Sequence, residues 1–88
     1  MFRIGNVLIK NRTVAAPMAG VTDKAFRLMA RKFGAGLVYT EMISDMGLVY
    51  GQERTEAIAD IGDEVAPVSV QIFGSNPETL VQAALKVE

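Results

Sequence analysis

The stretch from Val14 to Asp23 constrains the fold more than any other part of the sequence. It is typical of a short buried strand that ends at Pro17, followed by a loop of small residues and an immediate helix start. We expect Thr22 to cap that helix and Gly34 to end it. Strand-to-helix junctions of this kind are where α/β proteins bind ligands, because the carboxyl ends of parallel strands leave a crevice lined by loops.

Apolar periodicity predicts how the helices pack. In the first helix, a stripe with helical spacing is expected to face the sheet, and it consists of Phe26, Met29, Ala30 and Phe33. The last helix is expected to start at Asn76 or Ser75, both of which are compatible caps. Its predicted apolar stripe consists of Leu80, Val81, Ala84 and Leu85.

Two further apolar runs alternate with the helices, at residues 37–40 and 67–73. With the first strand, near Thr13 to Pro17, they predict parallel βαβ units. Residues in the third run alternate between two faces: Val68, Val70 and Ile72 on one, and Ser69, Gln71 and Phe73 on the other. We expect the first face to pack under helices and the second to line a barrel interior or pocket. A glutamine on such an inner face must find hydrogen-bond partners, either within the protein or in a ligand.

The remaining segments are short. A hairpin is predicted for residues 2–9, because Gly5-Asn6 tolerates a tight turn. Ser44 is expected to cap a short helix over residues 45–50, with a second turn at residues 52–56. Residues 57–60 are predicted to be extended and residues 61–64 to form a turn. Glu41, after the second strand, is expected to face the same crevice as Pro17 and Met18.

Composition excludes several classes of site. The 88 residues contain no cysteine and no histidine, which excludes disulfides, thiolate metal sites and imidazole acid–base chemistry. The net charge is −1 with interspersed signs, so no basic surface for nucleic acid is expected within this segment. No apolar run is long enough for a membrane span, and no signal peptide is recognisable, so a cytoplasmic protein is expected.

Two motifs carry a family resemblance: residues 15–23, Ala-Ala-Pro-Met-Ala-Gly-Val-Thr-Asp, and residues 70–74, Val-Gln-Ile-Phe-Gly. Together with their spacing, they resemble the opening of the tRNA-dihydrouridine synthases, which are FMN enzymes with a TIM barrel. The resemblance implies an α/β fold, a partial TIM barrel of about three βα units preceded by a β-hairpin. Residues 1–88 would then be the N-terminal part of an FMN-binding (β/α)₈ domain, because a whole barrel needs about 250 residues.

The resemblance also implies a site. Ala16, Pro17 and Met18 match positions that contact the flavin ring, partly through backbone groups, and Gln71 matches a glutamine that hydrogen-bonds the flavin pyrimidine edge. The corresponding activity is reduction of uridine in tRNA, with NADPH as the reductant. No catalytic residue is expected in this chain, because the family uses a cysteine as general acid and the chain has none. FMN binding by residues 1–88 alone is expected to be weak or absent, because the family holds the FMN phosphate with loops from the far end of the barrel. Each motif also has a purely structural interpretation. Pro17 and Met18 would then be a strand end with a buried methionine, and Gln71 would find its hydrogen-bond partners within the protein.

Alternatives remain at this point. One is a different FMN barrel oxidoreductase. Another is an inert βα fragment that covers its open sheet edges by forming homo-oligomers. The last helix carries no stop signal before Glu88, which is typical of a chain cut within an element.

Overall fold

The computed structural model describes all residues from 1 to 88. It begins with a two-stranded antiparallel hairpin, β1 (Phe2–Ile4) and β2 (Val7–Ile9). Gly5 has a positive φ of 58°, a conformation that glycine adopts without strain. The predicted hairpin is therefore confirmed.

The other strands pair only in parallel. A three-stranded sheet has the order β3 (Val14–Ala15), β4 (Leu37–Tyr39) and β6 (Val68–Ser69). A second, two-stranded sheet pairs β5 (Ile43–Ser44) with β7 (Ile72–Phe73). The fold is mixed α/β with parallel strands, as predicted, and it is consistent with part of a TIM barrel, although no barrel is closed.

The third predicted strand, residues 67–73, is divided into β6 and β7. In the first sheet, Tyr39 lies opposite Ser69, and in the second, Ile43 lies opposite Ile72. Three residues (40–42) therefore separate the paired positions on one side, while two (70–71) separate them on the other. An extra residue of this kind is a β-bulge, which interrupts the ladder and bends the strand.

Four helices alternate with these strands: α1 (Lys24–Lys32), α2 (Asp45–Val49), α3 (Glu53–Ala59) and α4 (Pro77–Val87). Ser44 caps α2 and Asn76 caps α4, both as predicted. The extended segment predicted at 57–60 is wrong, because residues 57–59 complete the last turn of α3. None of the four helices combines the length and apolar character that crossing a bilayer requires.

The cap of α1 is Asp23 rather than the predicted Thr22. The Asp23 carboxylate accepts a hydrogen bond from the Phe26 amide at 2.9 Å. The Thr22 hydroxyl is instead used within the preceding loop, where it accepts from the Met18 amide. The prediction failed because both residue types are good caps, and the Thr22 hydroxyl is already engaged by the Met18 amide four residues earlier.

The main core lies between the second sheet and helices α2, α3 and α4. Ile43, Leu48 and Ala83 are its fully buried members, and Val70 and Ile72 pack against them, as their predicted face requires. The predicted apolar stripe of α4 is displaced, because Val81 and Leu85 are exposed while Ala83 is buried. This stripe could not be located from sequence alone, since apolar residues lie on both sides of α4.

Helix α1 packs on β4 in an unexpected way. Its buried residue is Arg27, whereas Met29 and Phe33 of the predicted stripe are exposed. Arg31, one turn later, donates to the backbone carbonyls of residues 35, 36, 65 and 67. Charged hydrogen bonds therefore hold this helix to the loops that precede β4 and β6, while Phe26 and Ala30 of the predicted stripe are half-buried.

Candidate functional site

The structure brings the predicted site residues to one edge of the three-stranded sheet. Ala16, Pro17 and Met18 follow the carboxyl end of β3, and Gln71 follows the carboxyl end of β6. These two strands flank β4 on opposite sides. Parallel strands place their carboxyl ends at one edge, which is where α/β proteins bind ligands.

The loop after β3 is closed by hydrogen bonds within itself. The Met18 amide donates to Oγ1 of Thr22 at 2.6 Å, and the Met18 carbonyl accepts from the amides of Val21 and Thr22 at 3.0 and 2.9 Å. The backbone polar groups of Met18 are thus engaged inside the loop. Its side chain is the part that remains available to a ligand, since Met18 is 49% exposed.

Glu41 joins this loop to the end of β4. Its Oε1 accepts a hydrogen bond from the Gly20 amide at 2.5 Å. The Glu41 carboxylate thus reaches the loop after β3, but the cleft that it lines includes neither Pro17 nor Met18, so the predicted shared crevice stays a prediction. Gly20 has φ 75°, so the amide that meets the carboxylate lies in a turn that favours glycine.

Thr40 joins the end of β4 to Gln71 on the other side. Its buried hydroxyl accepts from the Gln71 amide at 3.0 Å and donates to the Glu41 carbonyl at 2.9 Å. The Gln71 carbonyl in turn accepts from the Ile43 amide at 2.8 Å. No role in the site was predicted for Thr40, and Thr22 was predicted only as a helix cap; the sequence signal for both is a threonine within or next to a predicted strand-to-helix junction.

The backbone of Gln71 is fixed, but its side-chain amide makes no hydrogen bond within the chain. The polar contacts of this residue are those of its main chain to Thr40 and Ile43. The residue is half-buried, and no fully buried polar side-chain atom lacks a partner. A carboxamide carries two donors and an acceptor, so Gln71 can complement a ligand edge that alternates N–H and C=O groups.

The edge is open rather than enclosed. None of the cavities in the structure is lined by Ala16, Pro17, Met18 or Gln71. A cleft of about 330 Å³ is lined by Glu41 together with charged residues of α1 and α3. The structure contains no cluster of three side chains that could hold a metal ion.

Two ion pairs connect α1 with the loop that follows α3. Arg27 and Glu64 form a buried pair in which both side chains are 3% exposed, while Lys24 and Asp63 form an exposed one. Hydrogen bonding to Glu64 raises the pKa of Arg27, against burial, which lowers it. Hydrogen bonding between Lys24 and Asp63 raises the pKa of the lysine and lowers the pKa of the carboxyl group.

Comparison with known proteins gives a consistent result. The family model described as dihydrouridine synthase (Dus) matches residues 13–88. A protein named tRNA-dihydrouridine synthase B from Pseudomonas aeruginosa is 48% identical in an alignment of 84 residues that covers 93% of this chain and 25% of that protein. Proteins of the same name are 42% identical in Xanthomonas campestris pv. campestris and 40% identical in Escherichia coli K12, each over 93% of this chain. The chain thus spans about a quarter of the length of these relatives.

Proposed function

The chain belongs to the dihydrouridine synthase family, and we propose that it supplies the first βα units of the catalytic barrel of a tRNA-dihydrouridine synthase. Such an enzyme reduces uridine in tRNA to dihydrouridine. The proposal is supported by the names of the relatives and by their identity with this chain over nearly its whole length. It is also supported by the parallel strands whose carboxyl ends meet at one edge.

The cofactor in this proposal is FMN, held at that edge. The residues present fit a flat aromatic ring with a polar rim. Pro17 has no N–H to satisfy, the Met18 side chain is apolar and adaptable, and the Gln71 carboxamide has open donors and an acceptor. Ala16 adds a small side chain that allows close approach. When bound, a reduced flavin supplies the hydride for the uracil double bond.

The part played by this chain is to bind and orient. Pro17 and Met18 would cover the ring and exclude water from it, and Gln71 would fix the orientation of its pyrimidine edge. The resemblance implies a cysteine as proton donor, and the chain contains none, so we propose that the donor comes from outside these residues. We therefore expect no turnover from residues 1–88 alone.

The partners belong to the whole protein. We propose tRNA as its substrate, NADPH as its reductant and the cytoplasm as its compartment, in line with the tRNA-modifying relatives. By itself the chain exposes many apolar side chains, Phe33 and Leu85 among them. We propose that these surfaces lead it to form homo-oligomers.

The observation that carries the cofactor proposal is the open carboxamide of Gln71 at the edge that also holds Pro17 and Met18. The test is a titration of the chain with FMN, followed by flavin fluorescence. Gln71→Leu should weaken binding about tenfold, because it removes hydrogen bonds worth about 0.5–1.5 kcal/mol each. Gln82→Leu, at an exposed position of α4, is the matched control and should leave binding unchanged.

A chimera tests the activity of the whole protein. Residues 1–88 would replace the matching quarter of the Pseudomonas aeruginosa relative, and dihydrouridine formation in tRNA would be measured. The chimera should be active, and Gln71→Leu within it should lose flavin more readily than Gln82→Leu. A folded chimera that neither retains FMN nor modifies tRNA would contradict the proposed function.

A further inference from the structure

Arg27 is a buried charged residue on a helix whose contacts were predicted to be made by apolar side chains. It lies in α1, is 3% exposed, and faces the loop after β3 rather than solvent. Charged side chains are rarely buried unless they are paired and hydrogen-bonded. The role of the buried guanidinium can therefore be inferred from its hydrogen-bond partners.

The guanidinium joins two separate parts of the chain. Its Nε and Nη2 donate to the two carboxylate oxygens of Glu64 at 2.9 and 2.6 Å, which is a bidentate arrangement. Its Nη1 donates to the carbonyl oxygen of Thr22 at 3.0 Å. Glu64 thus fixes the plane of the guanidinium, and the remaining nitrogen is directed at the loop.

Thr22 transmits this contact to Met18. Its side chain is fully buried, and its hydroxyl accepts the Met18 amide while its own amide donates to the Met18 carbonyl. These reciprocal bonds make Met18 and Thr22 one unit. A displacement of the Thr22 carbonyl would therefore move Met18 at the edge of the sheet.

From this chain of contacts we propose that Arg27, oriented by Glu64, is a positioning residue that sets the place of Met18 at the cofactor edge. The consequence for FMN rests on the proposed function, whereas the consequence for the loop does not. A lysine could not replace Arg27, because a single ammonium cannot hold both carboxylate oxygens and the carbonyl in the fixed geometry of a planar fork.

The structure offers a matched control for this role. Lys24 and Asp63 connect the same helix to the same loop as Arg27 and Glu64. Lys24 lies about one helical turn before Arg27, and Asp63 is the residue before Glu64. That pair is exposed and makes no hydrogen bond to Thr22. A variant of Asp63 therefore tests whether any link between the two segments suffices, or whether the buried contact to the loop is required.

The first measurement is amide hydrogen exchange by NMR on the chain without ligand. The Met18 amide reports on the loop, and the buried Ile43 amide, bonded to the Gln71 carbonyl, reports on the stability of the fold. Arg27→Lys and Glu64→Gln should each speed Met18 exchange about tenfold relative to Ile43, which corresponds to the loss of about one hydrogen bond to a charged group. Asp63→Asn should leave this ratio unchanged.

The second measurement is FMN binding by the same variants, with flavin fluorescence as the signal. Arg27→Lys and Glu64→Gln should weaken binding severalfold, and Asp63→Asn should not. If Arg27 only stabilised the fold, its replacement would speed amide exchange at Met18 and Ile43 alike. If Glu64→Gln does not fold, Arg27→Lys decides, since it keeps the positive charge opposite Glu64.

Two results would overturn the inference: an unchanged ratio of Met18 to Ile43 exchange in Arg27→Lys, or an equal change of that ratio in Asp63→Asn. Failure of the proposed function looks different. In that case the unmodified chain and the chimera would not bind FMN, while the exchange of Met18 would still respond to Arg27→Lys. The role of Arg27 in placing the loop would then stand without the cofactor.

Discussion

Gly74→Ala should destabilise the fold, because Gly74 lies directly against a buried carboxylate. A Cβ added there would overlap with the carboxyl group of Asp45, including Oδ1 at 2.6 Å, whereas real Cβ atoms keep at least 3.0 Å from other heavy atoms. Asp45 is 4% exposed, and its Oδ1 accepts the Met46 amide at 2.6 Å. The side chain has little room to turn away, because it is held at the start of α2.

The loss of stability in Gly74→Ala can be estimated from the strand pairing that places Gly74 against Asp45. Ser44 lies opposite Phe73 in the parallel pair of β5 and β7, so Asp45 and Gly74 are the next residues along the two chains. Forcing additional atoms into such a packed site costs about 1–3 kcal/mol. Since m-values in urea are about 1–3 kcal/mol/M for small proteins, the midpoint of unfolding should fall by roughly 1 M. Urea titration followed by circular dichroism measures it.

Two further variants isolate the clash. At Gly62 the nearest atom to an added Cβ is Oδ1 of Asp60 at 3.5 Å, an ordinary contact, so Gly62→Ala should be nearly neutral. In an Asp45→Ala background the space is open, and Gly74→Ala should cost much less than in the unmodified chain. The reasoning is refuted if Gly74→Ala is neutral, or if its cost is the same in both backgrounds.

Three other predictions concern the surface. The pKa of Asp63 is lowered by Lys24, so the stabilisation from this pair is present above about pH 4 and is lost as the pH falls through the lowered pKa. The pKa of Asp63, measured by NMR titration, should rise in Lys24→Met, and an unchanged pKa would contradict the ion pair. Asn76→Ala should lower the free energy of unfolding in urea by about 1 kcal/mol, because Asn76 caps α4 through the Glu78 amide. A larger loss in the Ser75→Ala control would contradict this and show that Ser75 is the cap. Phe33 is 80% exposed, so light scattering should detect association of the chain at high concentration, and Phe33→Ser should reduce that association. A monodisperse monomer of the unmodified chain would refute this prediction.

Local signals in the sequence predicted much of the fold. Gly5-Asn6 marked the hairpin turn, and Ser44 and Asn76 marked two helix starts, because turns and caps depend on a few neighbouring residues. The alternation of strands and helices predicted parallel pairing for a different reason, because a helix between two strands returns the chain to the end of the sheet where the first strand began. The roles of Pro17 and Gln71 in cofactor binding remain predictions, since they concern a ligand rather than the chain.

Contacts between distant residues were not predictable in this way. Nothing in the periodicity of α1 indicates that Arg27 is buried, because its partner Glu64 lies 37 residues away. The wrong cap of α1 has a local cause instead. Thr22 and Asp23 have similar intrinsic preferences for that position, and the contact of Thr22 with Met18 decides between them.

The bulge at residues 40–42 explains why the candidate site lies where it does. Without the extra residue, β4 and β6 would continue as a regular ladder, and the Gln71 amide would bond to a backbone carbonyl. Instead it bonds to the Thr40 hydroxyl, and Glu41 reaches sideways to the Gly20 amide. Bulges often lie beside functional sites, where they redirect side chains. The change of register thus coincides with the contact between Glu41 and the loop after β3 and with the position of Gln71, whose carboxamide has no partner within the chain. The arrangement has a cost in lost ladder hydrogen bonds, and a bound ligand that engages Gln71 would offset part of it.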